Sequence, residues 1–128
     1  MATRDEDRPV TETVLIVDDQ DVVRDVIRIS LESAGYTVLE AATPLEAIEI
    51  VRDGVGIDLL ITDVVMPEMD AFELVERITS ELPNLPILYT SGYTDAGAEG
   101  PFIQKPFTPA QLVEKVSAVL AGTPARLA

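Results

Sequence analysis

The chain alternates short apolar runs with longer segments of helical periodicity. Five runs of mostly apolar and β-branched residues predict strands, at residues 14–18, 37–40, 57–62, 86–90 and 101–104. Two of these runs lack a regular polar face, which is typical of strands that are buried on both sides. Strands that alternate with helices in this way form a parallel sheet with helices on both faces.

Four further segments have the apolar spacing and end signals of helices. We predict helices at residues 21–34, 44–52, 70–82 and 108–121. Thr43, Asp70 and Thr108 each precede a Glu or Gln by three residues, which is the capping-box pattern of a helix start. Gly35 stands where a left-handed residue would end the first helix.

The first of these helices carries a broad apolar stripe. Val22, Val26 and Ile29 lie on successive turns, and Val23 and Ile27 widen the stripe. Apolar residues at this spacing are typical of a helix face that packs against a core.

The connection between the fourth and fifth strands interrupts the alternation. Residues 92–100 are rich in Gly and Ala, and they are fewer than the roughly dozen residues that a parallel crossover with its helix needs. A regular alternation would hold five helices. We expect the fourth helix, between these two strands, to be missing or vestigial.

Three aspartates stand at the carboxyl ends of two predicted strands. Asp18 and Asp19 end the first strand, and Asp63 follows the third. If these strands are neighbours, the three carboxylates share one pocket, and such close anions need a counter-ion. Mg²⁺ prefers oxygen ligands of this kind. The sequence therefore predicts a magnesium site and, with it, phosphate chemistry.

Two more polar side chains end strands at the same edge. Ser91 follows the fourth strand, Lys105 follows the fifth, and Pro106 comes directly after Lys105. Ligands of open α/β sheets bind beyond the carboxyl ends of the strands. The five polar side chains together therefore mark the candidate site.

Composition narrows the classes of function. The 128 residues include no Cys and no His, which excludes a thiolate nucleophile, a Ser-His-Asp triad and a phosphohistidine donor within this chain. The net charge of −14 argues against nucleic-acid binding and favours a partner with a basic or apolar docking face. No apolar run reaches membrane-spanning length, so we expect no membrane contact and a cytoplasmic location.

In their order and spacing, the site residues resemble the receiver domain of bacterial response regulators. The resemblance rests on Asp18-Asp19, Asp63 with Met66-Pro67, Ser91-Gly92, Phe102 and Lys105-Pro106-Phe107. It implies a flavodoxin-like, doubly wound α/β fold with a five-stranded parallel sheet of order 2-1-3-4-5. Residues 88–93 and 104–108 are most similar to receivers of hybrid sensor kinases.

For the site, the resemblance implies that Asp63 accepts a phosphoryl group from a phosphohistidine on a partner. The partner would be a sensor histidine kinase or a histidine phosphotransfer protein. Asp19, Asp63 and the backbone carbonyl of Val65 would ligate Mg²⁺ directly, and Asp18 would act through a bound water. Such a domain catalyses only its own phosphorylation and dephosphorylation, and it is not otherwise an enzyme.

The resemblance also implies a switch. Lys105, which would precede a cis peptide bond, and the Ser91 hydroxyl would bind phosphoryl oxygens. Ser91 would move toward the phosphoryl group and Phe102 would turn inward, which would change the surface that a downstream protein reads. Gly92 would leave room for the phosphodonor.

Residues beside the site bear on the lifetime of the phosphorylated state. Receivers that dephosphorylate rapidly tend to carry polar or acidic groups at the positions of Val65 and Tyr93. Neither side chain orients an attacking water well, so we expect a relatively long-lived phosphoryl group.

The predicted organisation is a flexible leader at residues 1–13, a receiver domain at 14–122 and a tail at 123–128. A stand-alone regulator is mildly favoured over a receiver from a hybrid kinase. Two other functions stay open. One is a pseudo-receiver that binds partners without phosphorylation, against which the intact aspartates and Lys105 argue. The other is a magnesium phosphohydrolase, which would need a carboxylate where Val65 stands.

Overall fold

The computed structural model describes residues 12–92 and 100–121. Its strands are β1 (Thr13–Val17), β2 (Thr37–Ala41), β3 (Leu59–Asp63), β4 (Ile87–Ser91) and β5 (Phe102–Gln104). The helices in these residues are α1 (Asp21–Ser33), α2 (Pro44–Arg52), α3 (Ala71–Thr79) and α4 (Pro109–Ala121). None of these helices is long and apolar enough to cross a bilayer.

The five strands form one parallel sheet of order β2-β1-β3-β4-β5, which confirms the predicted fold class. The strand order reverses between β1 and β3, because the chain first adds β2 on one side of β1 and then builds outward on the other side. Ligands of such sheets bind at this reversal, outside the carboxyl ends of the strands. The fold therefore directs attention to the ends of β1 and β3.

Helices cover both faces of the sheet. Strand residues point alternately to the two faces, so each strand contributes to two apolar clusters. One cluster joins the sheet to α2 and α3, and it includes Leu15, Leu60, Ala47, Leu74 and Ile78. The other joins the opposite face to α1 and α4, and it includes Ile16, Ile61, Ile27, Leu31 and Leu112. The core thus holds β1, β3 and β4 rigidly between two helical layers.

The predicted helix starts are confirmed by their caps. The side chains of Thr43, Asp70 and Thr108 each accept a hydrogen bond from the backbone N–H three residues later, at 3.2, 2.9 and 3.0 Å. Gly35 follows α1 with a φ of +102°, the left-handed conformation that glycine favours. Several strand and helix ends differ from the prediction by one or more residues; β3, for example, begins at Leu59 rather than at residue 57. Helix α3 ends at Thr79 rather than near residue 82, and β1 begins at Thr13, inside the predicted leader.

The apolar stripe predicted on α1 does not pack as one face against the core. Ile27 and Leu31 are fully buried, whereas Val22, Val26 and Ile29 are 75, 41 and 54% exposed. The stripe spans a wider arc of the helix than the sheet and α4 can cover, so its outer half faces solvent. The prediction that apolar spacing alone marks a buried face was wrong for these three residues.

Three predictions fall on residues outside the described part of the chain. The helix between β4 and β5 was predicted to be missing or vestigial within residues 92–100, of which residues 93–99 lie outside the described part; the fourth described helix, α4, follows β5. Residues 1–11 of the predicted leader and the whole predicted tail, residues 123–128, lie outside the described residues as well.

Candidate functional site

The three aspartates meet at the carboxyl edge of the sheet. Val17 and Thr62 are register partners on β1 and β3, so the residues that follow them are also neighbours. Carboxylate oxygens of Asp18, Asp19 and Asp63 all lie within 4.8 Å of one another. Asp18 and Asp63 are buried and Asp19 is exposed, so the cluster opens to solvent on one side.

Lys105 supplies a positive charge among these carboxylates. Its Nζ lies 3.2 Å from Oδ2 of Asp18 and 3.2 Å from Oδ2 of Asp63. The backbone N–H of Lys105 donates to the carbonyl oxygen of Ser91 at 2.7 Å, which ties the residue to the end of β4. The peptide bond between Lys105 and Pro106 is cis, as the resemblance implies.

The electrostatics of the cluster suit a divalent cation. Two unit charges separated by 4.8 Å repel by roughly 3 kcal/mol at an effective dielectric constant of about 20. Burial raises the pKa of the Asp18 carboxyl, and the nearby Asp63 adds to this, while the Gln20 amide and Lys105 act in the opposite direction. Three ionised carboxylates and one ammonium leave two negative charges in excess. The oxygen-only donor set and this excess charge fit Mg²⁺.

The turn that carries Asp18 and Asp19 is fixed by two hydrogen bonds. The Gln20 N–H donates to Oδ1 of Asp18 at 2.9 Å, and Nη1 of Arg24 donates to the Asp18 carbonyl oxygen at 2.6 Å. Sequence reasoning did not find Arg24. The sequence feature that could have indicated Arg24 is a positive charge in the first turns of a predicted helix. The helix dipole disfavours a positive charge there, so a specific contact is needed to compensate.

A cleft of about 540 Å³ lies over the carboxylates. It is lined by Asp19, Gln20, Asp63, Val65, Met66, Pro67, Gly92 and Lys105. Val65 is 59% exposed, and its N–H lies 3.4 Å from Oδ1 of Asp63. The cleft therefore gives a reactant open access to Asp63 and surrounds it with a cation and backbone groups.

The two predicted switch residues lie on adjacent strands. Ser91 is the last residue of β4 and is fully buried. Phe102 begins β5 as the register partner of Tyr89, and its partly buried ring packs against the cluster that contains Tyr89. The structure thus links the site to the β5 edge through paired strands, while the roles of Ser91 and Phe102 stay predictions.

A buried hydroxyl next to the site was also not predicted. Thr90 is fully buried and is the register partner of Asp63. Its Oγ1 has no hydrogen-bond partner within residues 12–92 and 100–121. Nothing in a β-branched residue on a predicted strand distinguishes such a position from an ordinary core threonine.

Comparison with known proteins gives one consistent result. The sequence model of the response regulator receiver domain matches residues 14–117. The sensor kinase CckA of Brucella abortus is 39% identical over 117 residues, which are 84% of this chain and 12% of that kinase. This chain therefore corresponds to a small part of that relative's length.

Solved structures agree with the sequence comparison. The receiver domain of the hybrid histidine kinase CckA is 38% identical, with a TM-score of 0.76 over 84% of this chain and 98% of that one. A response regulator receiver protein from Sinorhizobium medicae is 28% identical, with a TM-score of 0.80 over 88% of this chain and 97% of that one.

Proposed function

The chain belongs to the response regulator receiver domain family, and on that premise we propose that it is the phosphoacceptor of a two-component system or phosphorelay, with Asp63 as the residue that is phosphorylated. The predicted likeness to receivers of hybrid kinases is confirmed. The observation that supports the acceptor role best is the position of Asp63, which lines an open cleft beside Lys105 and two further carboxylates.

In the proposed reaction, an Oδ atom of Asp63 bonds to the phosphorus of a partner's phosphohistidine. The P–N bond breaks, and its electron pair stays on the imidazole nitrogen, which then takes up a proton. Asp19, Asp63 and the Val65 carbonyl would hold Mg²⁺ directly, with Asp18 acting through a water. When bound, the ion supplies charge neutralisation for the phosphoryl oxygens.

The remaining roles belong to side chains around Asp63. The Lys105 ammonium group lies 3.2 Å from Oδ2 of Asp63 and would form an ion pair with a phosphoryl oxygen after transfer. The Ser91 hydroxyl would bind a second oxygen, and Phe102 would take up the space that Ser91 leaves. A downstream protein would then recognise the altered surface at β4 and β5. The domain signals by changing its own state and does not turn over a free substrate.

The exposed stripe on α1 supports a docking role for that helix. Val22, Val26 and Ile29 form one solvent-facing apolar strip that begins three residues after Asp19. Exposed apolar strips beside a reactive site are typical of protein interfaces. We assign this strip to the phosphodonor, a sensor histidine kinase or a histidine phosphotransfer protein.

The phosphorylated state should be long-lived. Val65 is apolar and cannot orient a water against the phosphoryl group; Tyr93, the other predicted determinant, lies outside the described residues. Decay of radiolabelled protein in Mg²⁺ buffer measures the lifetime, and a half-life of seconds would contradict this expectation. The cytoplasmic location stays a prediction.

Acetyl phosphate or phosphoramidate, with and without Mg²⁺, tests the proposed function. We expect one added phosphoryl group by intact mass, only with Mg²⁺, and none in Asp63→Asn. No modification of the wild type would favour the pseudo-receiver, which binds partners without phosphorylation. Phosphate release without a trapped adduct would favour a phosphohydrolase.

A further inference from the structure

Arg24 connects the acidic turn to a helix and to a neighbouring strand. In addition to the 2.6 Å hydrogen bond from Nη1 to the Asp18 carbonyl oxygen, Nη2 donates to Oδ1 of Asp21 at 2.6 Å. Nε donates to Oε1 of Glu40, on β2, at 3.2 Å. The Arg24 side chain is only 14% exposed. All three guanidinium nitrogens are thus engaged in a fixed fork.

The contact with Asp18 acts on the geometry of the metal site. The Asp18 carbonyl belongs to the peptide group between Asp18 and Asp19. A hydrogen bond to this carbonyl therefore fixes the orientation of the peptide plane that precedes Asp19. The Asp18 side chain is held separately by the Gln20 N–H. Asp19 is exposed, and among the described residues no hydrogen bond holds its carboxylate. The direction of the Asp19 side chain therefore depends on the backbone before it.

Two effects of Arg24 on a bound cation oppose each other. Its positive charge repels the cation, but Asp21 and Glu40 each pair with it and offset that charge. Its hydrogen bond holds the turn in place, and outer contacts that orient metal ligands typically change metal affinity by about 10- to 100-fold. With its charge offset, orientation is the larger effect.

We propose that Arg24 is a positioning residue for Mg²⁺: it fixes the Asp18–Asp19 peptide so that the Asp19 carboxylate faces Asp63. The proposal rests on the magnesium site of the proposed function. It assigns a role in cation binding to a residue that does not itself contact the cation.

Mg²⁺ titration by calorimetry tests this with the metal alone. Arg24→Ala and Arg24→Lys should both weaken Mg²⁺ binding by about tenfold, because a lysine keeps the charge but cannot make the forked contacts. Arg28→Ala is the matched control. Arg28 lies one turn further along α1 and pairs with the same Glu40 at 3.1 Å, but its ion pairs are with Asp25, Glu32 and Glu40 and do not involve the acidic turn. Its loss should leave Mg²⁺ affinity unchanged.

The possible outcomes separate the proposal from its alternatives. Tighter binding in Arg24→Ala with unchanged binding in Arg24→Lys would show that charge dominates and would overturn the positioning role. Equal losses in Arg24→Ala and Arg28→Ala would also overturn it, since they would reflect the helix as a whole.

If Arg24→Ala does not fold, Arg24→Lys and Glu40→Gln decide. Both should melt cooperatively without metal and bind Mg²⁺ more weakly than the wild type, and unchanged affinity in both overturns the proposal. Failure of the wild type to bind Mg²⁺ would reject the metal site itself.

Discussion

The ammonium group of Lys105 lies 3.2 Å from Oδ2 of Asp63, and the same group lies 3.2 Å from Oδ2 of Asp18. One cation therefore offsets the charge of two buried carboxylates in the metal-free protein. A divalent cation in the cleft would draw on the same carboxylates. Lys105 and Mg²⁺ should accordingly compete, and the competition is measurable.

Replacing Lys105 by Met should have opposite effects on stability and on metal binding. Without Mg²⁺, the free energy of unfolding should fall by about 3 kcal/mol, because two buried carboxylates lose their shared partner. Mg²⁺ binding should become about tenfold tighter, because a competing charge is gone. Urea denaturation in chelator and calorimetric titration measure the two quantities.

Lys115→Met is the control for this substitution, since Lys115 is the only other lysine in the chain and lies in α4. Lys115→Met should leave both the free energy of unfolding without Mg²⁺ and the Mg²⁺ affinity close to those of the wild type. Weaker Mg²⁺ binding in Lys105→Met would contradict the competition.

Asp18 should make the metal-free protein less stable at neutral pH. Burial raises the pKa of Asp18, so the native state binds this proton more tightly than the unfolded chain does. The contribution of Asp18 to stability is therefore full below the unfolded pKa, about 3.9, and is lost as pH rises through the folded value. Asp18→Asn should raise the free energy of unfolding at pH 7 in chelator, and the gain should vanish near pH 4. Asp25→Asn, on the exposed side of α1, is the control, and a destabilised Asp18→Asn at pH 7 would refute the prediction.

The sequence predicts the sheet and the acidic cluster because both depend on local patterns. Apolar runs that end in carboxylates define the strands, and parallel strand order then brings Asp18 and Asp63 together. The contact between Arg24 and Glu40, and the Thr90 hydroxyl that has no partner among the described residues, involve separate elements of the fold, so no local pattern identifies them. The exposure of Val26 on α1 could not be predicted for the same reason. The apolar periodicity of the helix shows a wide stripe, but it does not show which part of the stripe the core covers.

The exposed strip on α1 should matter for a protein donor and not for a small one. The test uses a histidine phosphotransfer protein that phosphorylates the wild type. Val26→Asp should make phosphotransfer from this donor about tenfold slower, because the substitution buries a charge in the interface. Phosphorylation by acetyl phosphate should be unchanged. Val55→Asp is matched in exposure, at 43% against 41%, and should leave both rates unchanged. Equal slowing with acetyl phosphate would mean that the substitution damages the site rather than docking.

Two buried threonines on adjacent strands should respond in opposite ways to the same substitution. Thr90 and Thr62 are both fully buried, but only Thr62 donates its hydroxyl, to the Asp63 carbonyl at 3.0 Å. The Thr90 hydroxyl lacks a partner among the described residues, so replacing it with a methyl group removes a desolvation penalty without losing a hydrogen bond. Thr90→Val should therefore raise the free energy of unfolding by about 1 kcal/mol, and Thr62→Val should lower it by about 1 kcal/mol. Urea denaturation of both variants under identical conditions measures the difference. A loss of stability in Thr90→Val would mean that its hydroxyl has a partner in solution, such as a buried water beside Asp63.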